Sequence, residues 1–130
     1  MSKSFEIQIT VEEKHLDSLK HVNNVVYVQW LQDAALKHWK TYVSKEIDEQ
    51  VLWVVKRHEI DYLHSAVLHD ELIVKTWTGE YSAATWDRHY EIIRKSDNKL
   101  LAKAKSIWVL LDRKTFKPKR IDEQILNVLQ

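Results

Sequence analysis

The hydrophobic positions along this chain repeat with two different periods, which divide it into elements. Ser4–Glu13 alternates apolar and polar residues, and this period of two predicts a strand with one buried face. From Val25 to about Ser44 the apolar residues follow a helical period, which predicts a long, largely buried helix that Asn23 or Asn24 caps. The positions on its predicted apolar side are Val28, Leu31, Ala35, Trp39 and Tyr42, widened by Tyr27, Ala34 and Leu36.

The remainder of the chain is typical of strands separated by polar turns. The predicted strands are Val51–Asp61, Glu71–Tyr81, Thr85–Lys95 and Leu100–Asp112, and Asp122–Leu129 is predicted to form a short terminal helix. Consecutive strands with short connections favour an antiparallel sheet. One long apolar helix beside such a sheet predicts an α+β fold in which the sheet wraps around the helix. We expect one domain over residues 1–130.

The composition excludes several kinds of site. The sequence has no cysteine, which rules out a thiol nucleophile, a zinc finger, an iron–sulfur cluster and a disulfide framework. Its single glycine, Gly79, is too few for a phosphate-binding loop, a dinucleotide fingerprint or a GxSxG nucleophile elbow. We therefore expect chemistry that rests on carboxylate, imidazole or backbone groups.

Charge and hydropathy limit the partners. The chain carries 20 basic and 19 acidic residues, a net charge of +1, so we expect no nucleic-acid partner. Its longest apolar runs are far shorter than the roughly 20 residues of a membrane span, so we expect no membrane insertion and a cytoplasmic protein. Six tryptophans and five tyrosines leave much aromatic surface to cover, which favours an oligomer.

Candidate chemistry is concentrated just before the long helix. Asp17, His21, Asn23 and Asn24 place a carboxylate, an imidazole and two carboxamides within eight positions. The first turn of a helix offers unpaired backbone N–H groups that suit a developing oxyanion, with Asp17 beside it as a base or nucleophile. The residues alone favour a second interpretation, in which these side chains only cap the helix and order a loop.

The segment from Asp17 through His21-Val22-Asn23-Asn24 to Tyr27 and Trp30 resembles the motif of the hotdog-fold thioesterases. The similarity is strongest to the 4-hydroxybenzoyl-CoA thioesterase-like group and to the acyl-ACP thioesterases. Later segments agree with it over most of the chain, from about Phe5 to Ile125. These segments are Arg57–Tyr62, Leu68–Leu72 and Leu111–Thr115 followed by Pro118.

The resemblance implies a fold and an assembly. The fold would be a hotdog, one long central helix wrapped by a bent antiparallel sheet of about five strands. The protein would be a homodimer with its sheets joined edge to edge, extending to a homotetramer as a dimer of dimers. Active sites would lie between subunits. No cofactor and no metal are implied, and none of the seven histidines falls in an HExxH motif.

The resemblance also implies an activity, the hydrolysis of acyl-CoA or acyl-carrier-protein thioesters in lipid metabolism. Asp17 occupies the position of the catalytic carboxylate, and the backbone N–H at Asn24 that of the group polarising the carbonyl. His21 matches a histidine that acts in acyl-ACP enzymes. Candidate acyl-binding residues near the helix are Tyr27, Trp30 and Leu31, and candidate contacts of the CoA phosphates are Arg57, Arg88, Lys103 and Lys105.

Three positions depart from the family's pattern. Lys20 stands where many acyl-CoA members have glycine, and Leu19 where acyl-ACP enzymes tend to have asparagine. A second carboxylate on the helix is represented only by Asp33. The alternative function is a non-catalytic hotdog module that binds an acyl group or a partner, and a hotdog hydratase ranks last because its Asp/His spacing is absent.

Overall fold

The fold consists of five strands and three helices. A computed structural model of the chain describes residues 3–130. The strands are β1 (Phe5–Thr10), β2 (Val51–Tyr62), β3 (Glu71–Ser82), β4 (Thr85–Arg94) and β5 (Lys99–Asp112), and the helices are α1 (Asn24–Tyr42), α2 (Lys45–Gln50) and α3 (Glu123–Leu129). A 3₁₀ turn at Glu13–His15 follows β1.

All five strands form one antiparallel sheet in the order β1-β3-β4-β5-β2. Helix α1 lies against its inner face, over β1 and β3, and α3 packs against α1. This arrangement is the hotdog fold, so the predicted fold class is confirmed. Strands β1 and β2 are the two edges of the sheet, and β2 contains a register shift between Val55 and Arg57.

The core lies between the sheet and the helices because the strands bury every second side chain. Along β3 the buried residues are Leu72, Val74, Thr76 and Thr78. One core cluster surrounds the first half of α1, including Tyr27 and Leu31. A second surrounds Trp39 and includes residues of α3. Among the helices of residues 3–130, none is long and apolar enough to cross a membrane.

Helix α1 begins where the sequence predicts, and Asn23 is its cap. The side-chain Oδ1 of Asn23 accepts the N–H of Val25 at 3.1 Å, so Asn24 is the first helical residue. The predicted apolar face needs correction, since Leu36 and Tyr42 are exposed. The buried face consists of Tyr27, Trp30, Leu31, Ala34, Ala35, His38 and Trp39. These positions follow an i, i+3, i+4, i+7 stripe, and Leu36 lies on the opposite side of the helix. Tyr42 falls within the stripe, but it is the last residue of α1 and is exposed there.

The other predicted boundaries differ from the structure by a few residues. Strand β1 ends at Thr10, whereas the prediction extended it to Glu13. The 3₁₀ turn begins at Glu13, so the chain leaves the strand before that residue. Helix α2 was not predicted; Ser44 caps it by accepting the N–H of Ile47, and its charged residues left no apolar stripe to detect. The four later strands and the terminal helix α3 are confirmed.

Candidate active site

The segment before α1 folds as a small hairpin that brings its two ends together. Leu16 and Val22 pair as an antiparallel bridge, and the N–H of Asn23 donates to the carbonyl of His15 at 2.9 Å. The turn at its tip needs a left-handed residue, and Lys20 supplies it with φ of 62°. Glycine adopts this conformation without strain, which gives a physical reason for the glycine that many relatives have there.

Asp17 is fixed on this hairpin by backbone hydrogen bonds. Its Oδ1 accepts the N–H of Leu19 at 2.9 Å and the N–H of His21 at 3.2 Å. Within residues 3–130 no hydrogen bond or ion pair is formed by Oδ2, and the side chain is half-buried. The carboxylate therefore has a fixed orientation with one oxygen free to react.

The start of α1 presents an unpaired donor. The cap uses the N–H of Val25, and the N–H of Val26 donates to the carbonyl of Asn23 at 2.9 Å. The N–H of Asn24 has no acceptor among residues 3–130.

A depression of about 100 Å³ opens at this helix start. It is lined by Val22, Asn24, Tyr27, Tyr62, Leu63, His64 and Ser65. The Tyr62 hydroxyl donates to the carbonyl of Asn24 at 3.3 Å, and the Tyr27 hydroxyl accepts the N–H of Ala66 at 3.0 Å. Burial raises the pKa of both tyrosines, which favours their neutral hydroxyl forms.

Tyr62, His64 and Ser65 were not among the predicted site residues. They come from the end of β2 and the loop after it, about 40 positions from Asn24, and only the folded sheet brings them to the helix start. No local pattern of the sequence carries that information. The alternating pattern that ends at Tyr62 predicts strand β2, but it does not predict which end of the helix the strand meets.

The predicted acyl-binding residues all lie in the core. Tyr27, Trp30 and Leu31 are 3%, 5% and 1% exposed. Tyr27 also borders the depression at the helix start, and Trp30 borders a shallow trench between β1 and α1. Tyr27 and Trp30 meet edge to face, with ring centroids 5.5 Å apart.

The candidate contacts of the CoA phosphates separate into two faces of the sheet. Arg57, Lys103 and Lys105 belong to the outer face of β2 and β5. Arg88 is only 5% exposed on the inner face, so it does not form part of that surface. Among residues 3–130 no group of three or more metal-ligating side chains is gathered in a geometry that holds a metal ion.

A family model described as the thioesterase-like superfamily matches residues 11–129. The chain belongs to this superfamily. The match spans most of the chain, so the predicted family resemblance is confirmed, and thioester hydrolysis is supported at the level of the family.

Individual relatives agree with this result. The Long-chain acyl-CoA thioesterase FadM of Escherichia coli (strain K12) is 25% identical over 130 residues, 96% of each chain. The crystal structure of YbaW Probable Thioesterase from Escherichia coli superimposes with a TM-score of 0.86, at 25% identity over 95% of both chains. A thioesterase from Thermus thermophilus, complexed with coenzyme A and Zn, gives 0.83 at 23% identity, over 96% of this chain and 90% of that one, and shares the fold.

Proposed function

We propose that this superfamily member hydrolyses acyl-CoA thioesters, with Asp17 as the reacting carboxylate and the Asn24 N–H as the group that polarises the carbonyl. The observations that carry this proposal are a carboxylate with a free Oδ2 on the hairpin and an unpaired N–H at the start of the helix that follows it. The relative FadM is a long-chain acyl-CoA thioesterase, which supports CoA over a carrier protein as the thiol carrier.

The geometry suits the chemistry of a thioester. The carbonyl oxygen gains negative charge in the transition state, and the N–H at the positive end of α1 stabilises it. The carbonyl then undergoes either direct attack by Asp17 or attack by one water that Asp17 activates. CoA thiolate leaves readily, so strong general-acid assistance is unnecessary. One carboxylate and one oriented amide then supply the essential groups.

His21 has a supporting role in this proposal. Its backbone N–H and carbonyl hold Asp17, and its side chain is exposed. The imidazole delivers a proton to the departing sulfur. Because the thiolate is a good leaving group, we expect His21→Gln to lower kcat by only about tenfold, less than general acid–base groups usually contribute.

The acyl group is proposed to rest on the ring edges of Tyr27 and Trp30, with Leu31 forming the apolar core beneath them. Both rings are buried by packing in the chain, so their exposed edges offer a limited apolar contact. The surface that completes this contact is proposed to come from a second subunit.

A homodimer is proposed because β2 is a long edge strand. Its 12 residues pair with β5 on one side only, which leaves the other edge free to pair with a second copy. Val54, Tyr62 and Leu63 on and beside it are exposed apolar residues. Light scattering should give twice 15.6 kDa. An active monomer would contradict the shared site; a mass of four subunits would indicate a dimer of dimers.

The decisive experiment is a panel of acyl-CoAs of increasing chain length with a reagent that detects free thiol. We expect turnover in the native protein and loss of turnover in Asp17→Asn. The matched control is Asp33→Asn, a helix carboxylate that accepts a hydrogen bond from Gln29 at 2.8 Å. Turnover in Asp17→Asn at the native rate would refute the role of Asp17.

The same panel distinguishes catalysis from binding. A non-catalytic acyl-binding module would be stabilised against unfolding by acyl-CoA without releasing thiol. Acyl-carrier-protein substrates, tested at matched acyl length, decide the thiol carrier. Preference for the carrier protein over CoA would overturn that part of the proposal.

A further inference from the structure

Helix α1 and strand β2 meet along a seam in which they run in opposite directions. Three pairs of residues mark it in order, Asn24 with Tyr62, Gln32 with His58, and Trp39 with Trp53. The first pair is joined by the 3.3 Å hydrogen bond at the helix start, and the rings of the last pair lie edge to face with centroids 5.5 Å apart. The seam therefore begins at the proposed carbonyl-binding N–H and ends at the second core cluster.

The part of the seam nearest to Asn24 is apolar on both sides. Val28 is the next residue of the i, i+4 row that Asn24 begins on α1, and it is half-buried. On β2, Ile60 lies on the inward side and packs against the first core cluster. The ring of Tyr27 adjoins that of Tyr62 at the start of this stretch, with centroids 5.5 Å apart. Because β2 is an edge strand, the seam follows the border of the sheet.

A polar bridge interrupts this apolar stretch. The amide Nε2 of Gln32 donates to Nε2 of His58 at 3.5 Å, which leaves Nδ1 as the N–H of the neutral ring. Nδ1 then donates to Oγ of Ser106 at 2.6 Å, and Ser106 is fully buried. Burial lowers the pKa of His58, so the ring is neutral at neutral pH. Moving the imidazole away from α1 would break its bond to the sheet, so the bridge has a fixed position.

The bridge closes the seam at a defined distance from the helix start. Gln32 lies a little over two helical turns beyond Asn24, about 12 Å along the axis of α1. Apolar atoms in contact stand roughly 4 Å apart, so a methylene chain does not fit between two groups that are 3.5 Å from each other. Beyond the bridge, the cavity that Leu36 and Trp53 border has a volume of about 20 Å³, enough for one small group but not for a chain.

We propose that Gln32 and His58 limit the length of the acyl group, so that the protein selects short and medium acyl chains over long ones. This inference rests on the proposed hydrolysis and adds the course of the acyl chain. The chain leaves the carbonyl at Asn24, follows Val28 and Ile60, and ends against the bridge. An extended octanoyl group fits within about 12 Å, whereas a palmitoyl group exceeds that distance. A longer chain has to separate the hydrogen-bonded pair among apolar groups, which is unfavourable.

The first test measures kcat/KM for butanoyl-, hexanoyl-, octanoyl-, lauroyl- and palmitoyl-CoA, each below the concentration at which it forms micelles. In the native protein we expect kcat/KM to rise as far as octanoyl-CoA and to fall beyond it. Gln32→Ala removes the bridge and keeps a good helix former. It should raise the ratio of kcat/KM for palmitoyl-CoA to that for octanoyl-CoA by about tenfold or more, the range in which pocket shape discriminates between chains.

Two variants control for the position and chemistry of this substitution. Gln29→Ala removes an exposed glutamine of α1 that donates to Asp33, and it should keep the native length profile. Gln32→Glu keeps a side chain of the same length that accepts an N–H from His58, so the bridge and the native profile should remain. A native kcat/KM that continues to rise to palmitoyl-CoA would overturn the proposal, as would an unchanged palmitoyl-to-octanoyl ratio in Gln32→Ala.

A binding measurement separates this inference from the proposed hydrolysis. An acyl-CoA that binds the folded state raises Tm whether or not thiol is released, and Asp17→Asn allows the comparison without turnover. At equal concentrations the rise in Tm should be largest for octanoyl-CoA in Asp17→Asn and largest for palmitoyl-CoA when Gln32→Ala is added. A rise that is largest for palmitoyl-CoA in Asp17→Asn alone would refute the length limit. The length order in Tm without thiol release by the native protein would support the limit and refute the hydrolysis.

Discussion

Asp17 and His21 are joined by two hydrogen bonds across the tip of the hairpin, one between backbone groups and one from a backbone N–H to a side-chain oxygen. The Asp17 N–H donates to the His21 carbonyl at 2.8 Å, and the His21 N–H donates to Oδ1 of Asp17 at 3.2 Å. The carboxylate thus holds the turn with one oxygen and presents the other. A structural role and the proposed catalytic role meet in one side chain, and two substitutions separate them.

Asp17→Asn should separate activity from stability. Asparagine keeps Oδ1 as an acceptor for Leu19 and His21, so the free energy of unfolding should change by less than about 0.5 kcal/mol. Loss of the carboxylate should lower kcat at least about 100-fold. Asp17→Ala should lower both kcat and stability, with a destabilisation of about 1–2 kcal/mol. Urea unfolding and the thiol-release assay measure the two effects; a large stability loss in Asp17→Asn would contradict this division.

Asn24→Pro should remove the proposed carbonyl-binding N–H and little else. Proline is well tolerated at the first position of a helix, and the preceding Asn23 has φ −62° and ψ 135°, which a following proline accepts. We expect native-like circular dichroism and a kcat lowered by about 100-fold or more. Asn24→Ala keeps the N–H and is the matched control, with activity close to native. Equal activity in both variants would show that this amide does not act.

The buried His38 should make the protein sensitive to acid. Its pKa is lowered from 6.5 to about 4, so the folded state binds its proton less readily than the unfolded state. Stability is therefore complete above about pH 6.5 and decreases as the pH falls towards 4, by about 3 kcal/mol in total. His38→Asn keeps an acceptor for Arg88 but does not titrate, so its unfolding free energy should vary less across this window.

The comparison between the native protein and His38→Asn isolates this histidine. Burial also lowers the pKa of His58, which adds acid sensitivity of the same sign in both proteins and cancels in their difference. The measurement is urea unfolding at intervals of half a pH unit from pH 4 to pH 7. This range spans the lowered pKa of His38, about 4, and its ordinary value of 6.5. Parallel curves for the two proteins would contradict the assignment.

The elements were predictable from the sequence because their periods are local. Alternation identified the strands, and the apolar stripe after Asn23 identified α1. The turn residues predict the hairpin that carries Asp17 only in part, because a lysine in the sequence does not indicate the left-handed backbone conformation that Lys20 adopts. The motif directed attention to Asp17 and Asn24 through its resemblance to a family, whereas the residues alone favoured a capping role.

The contacts between distant segments were not predictable. His38 occupies the buried stripe of α1, and Arg88 alternates with aromatic residues along β4, so each is detectable as a polar residue on an apolar face. Their meeting across 50 positions depends on how the sheet places β4 beneath the helix. Tyr62 reaches Asn24 for the same reason. Pairing between elements is set by sheet order and register, which no single segment encodes.

Gly79, the only glycine of the chain, makes room for His89 on the outer face of the sheet. A Cβ added at Gly79 would lie 2.7 Å from Nε2 and 3.1 Å from Cδ2 of His89, whose ring stacks on Trp77 with centroids 5.8 Å apart. Gly79→Ala should therefore displace the imidazole and destabilise the protein by about 1 kcal/mol, despite the gain of roughly 0.5 kcal/mol that alanine brings in a strand.

A double-mutant cycle tests whether the contact with His89 causes the loss. In the His89→Ala background the ring is gone, so Gly79→Ala should become neutral or slightly stabilising, a coupling of about 1–2 kcal/mol between the two positions. Urea unfolding of the four proteins gives this value. If Gly79→Ala costs the same in both backgrounds, the glycine is required by the backbone next to the register shift after Thr78 rather than by the imidazole.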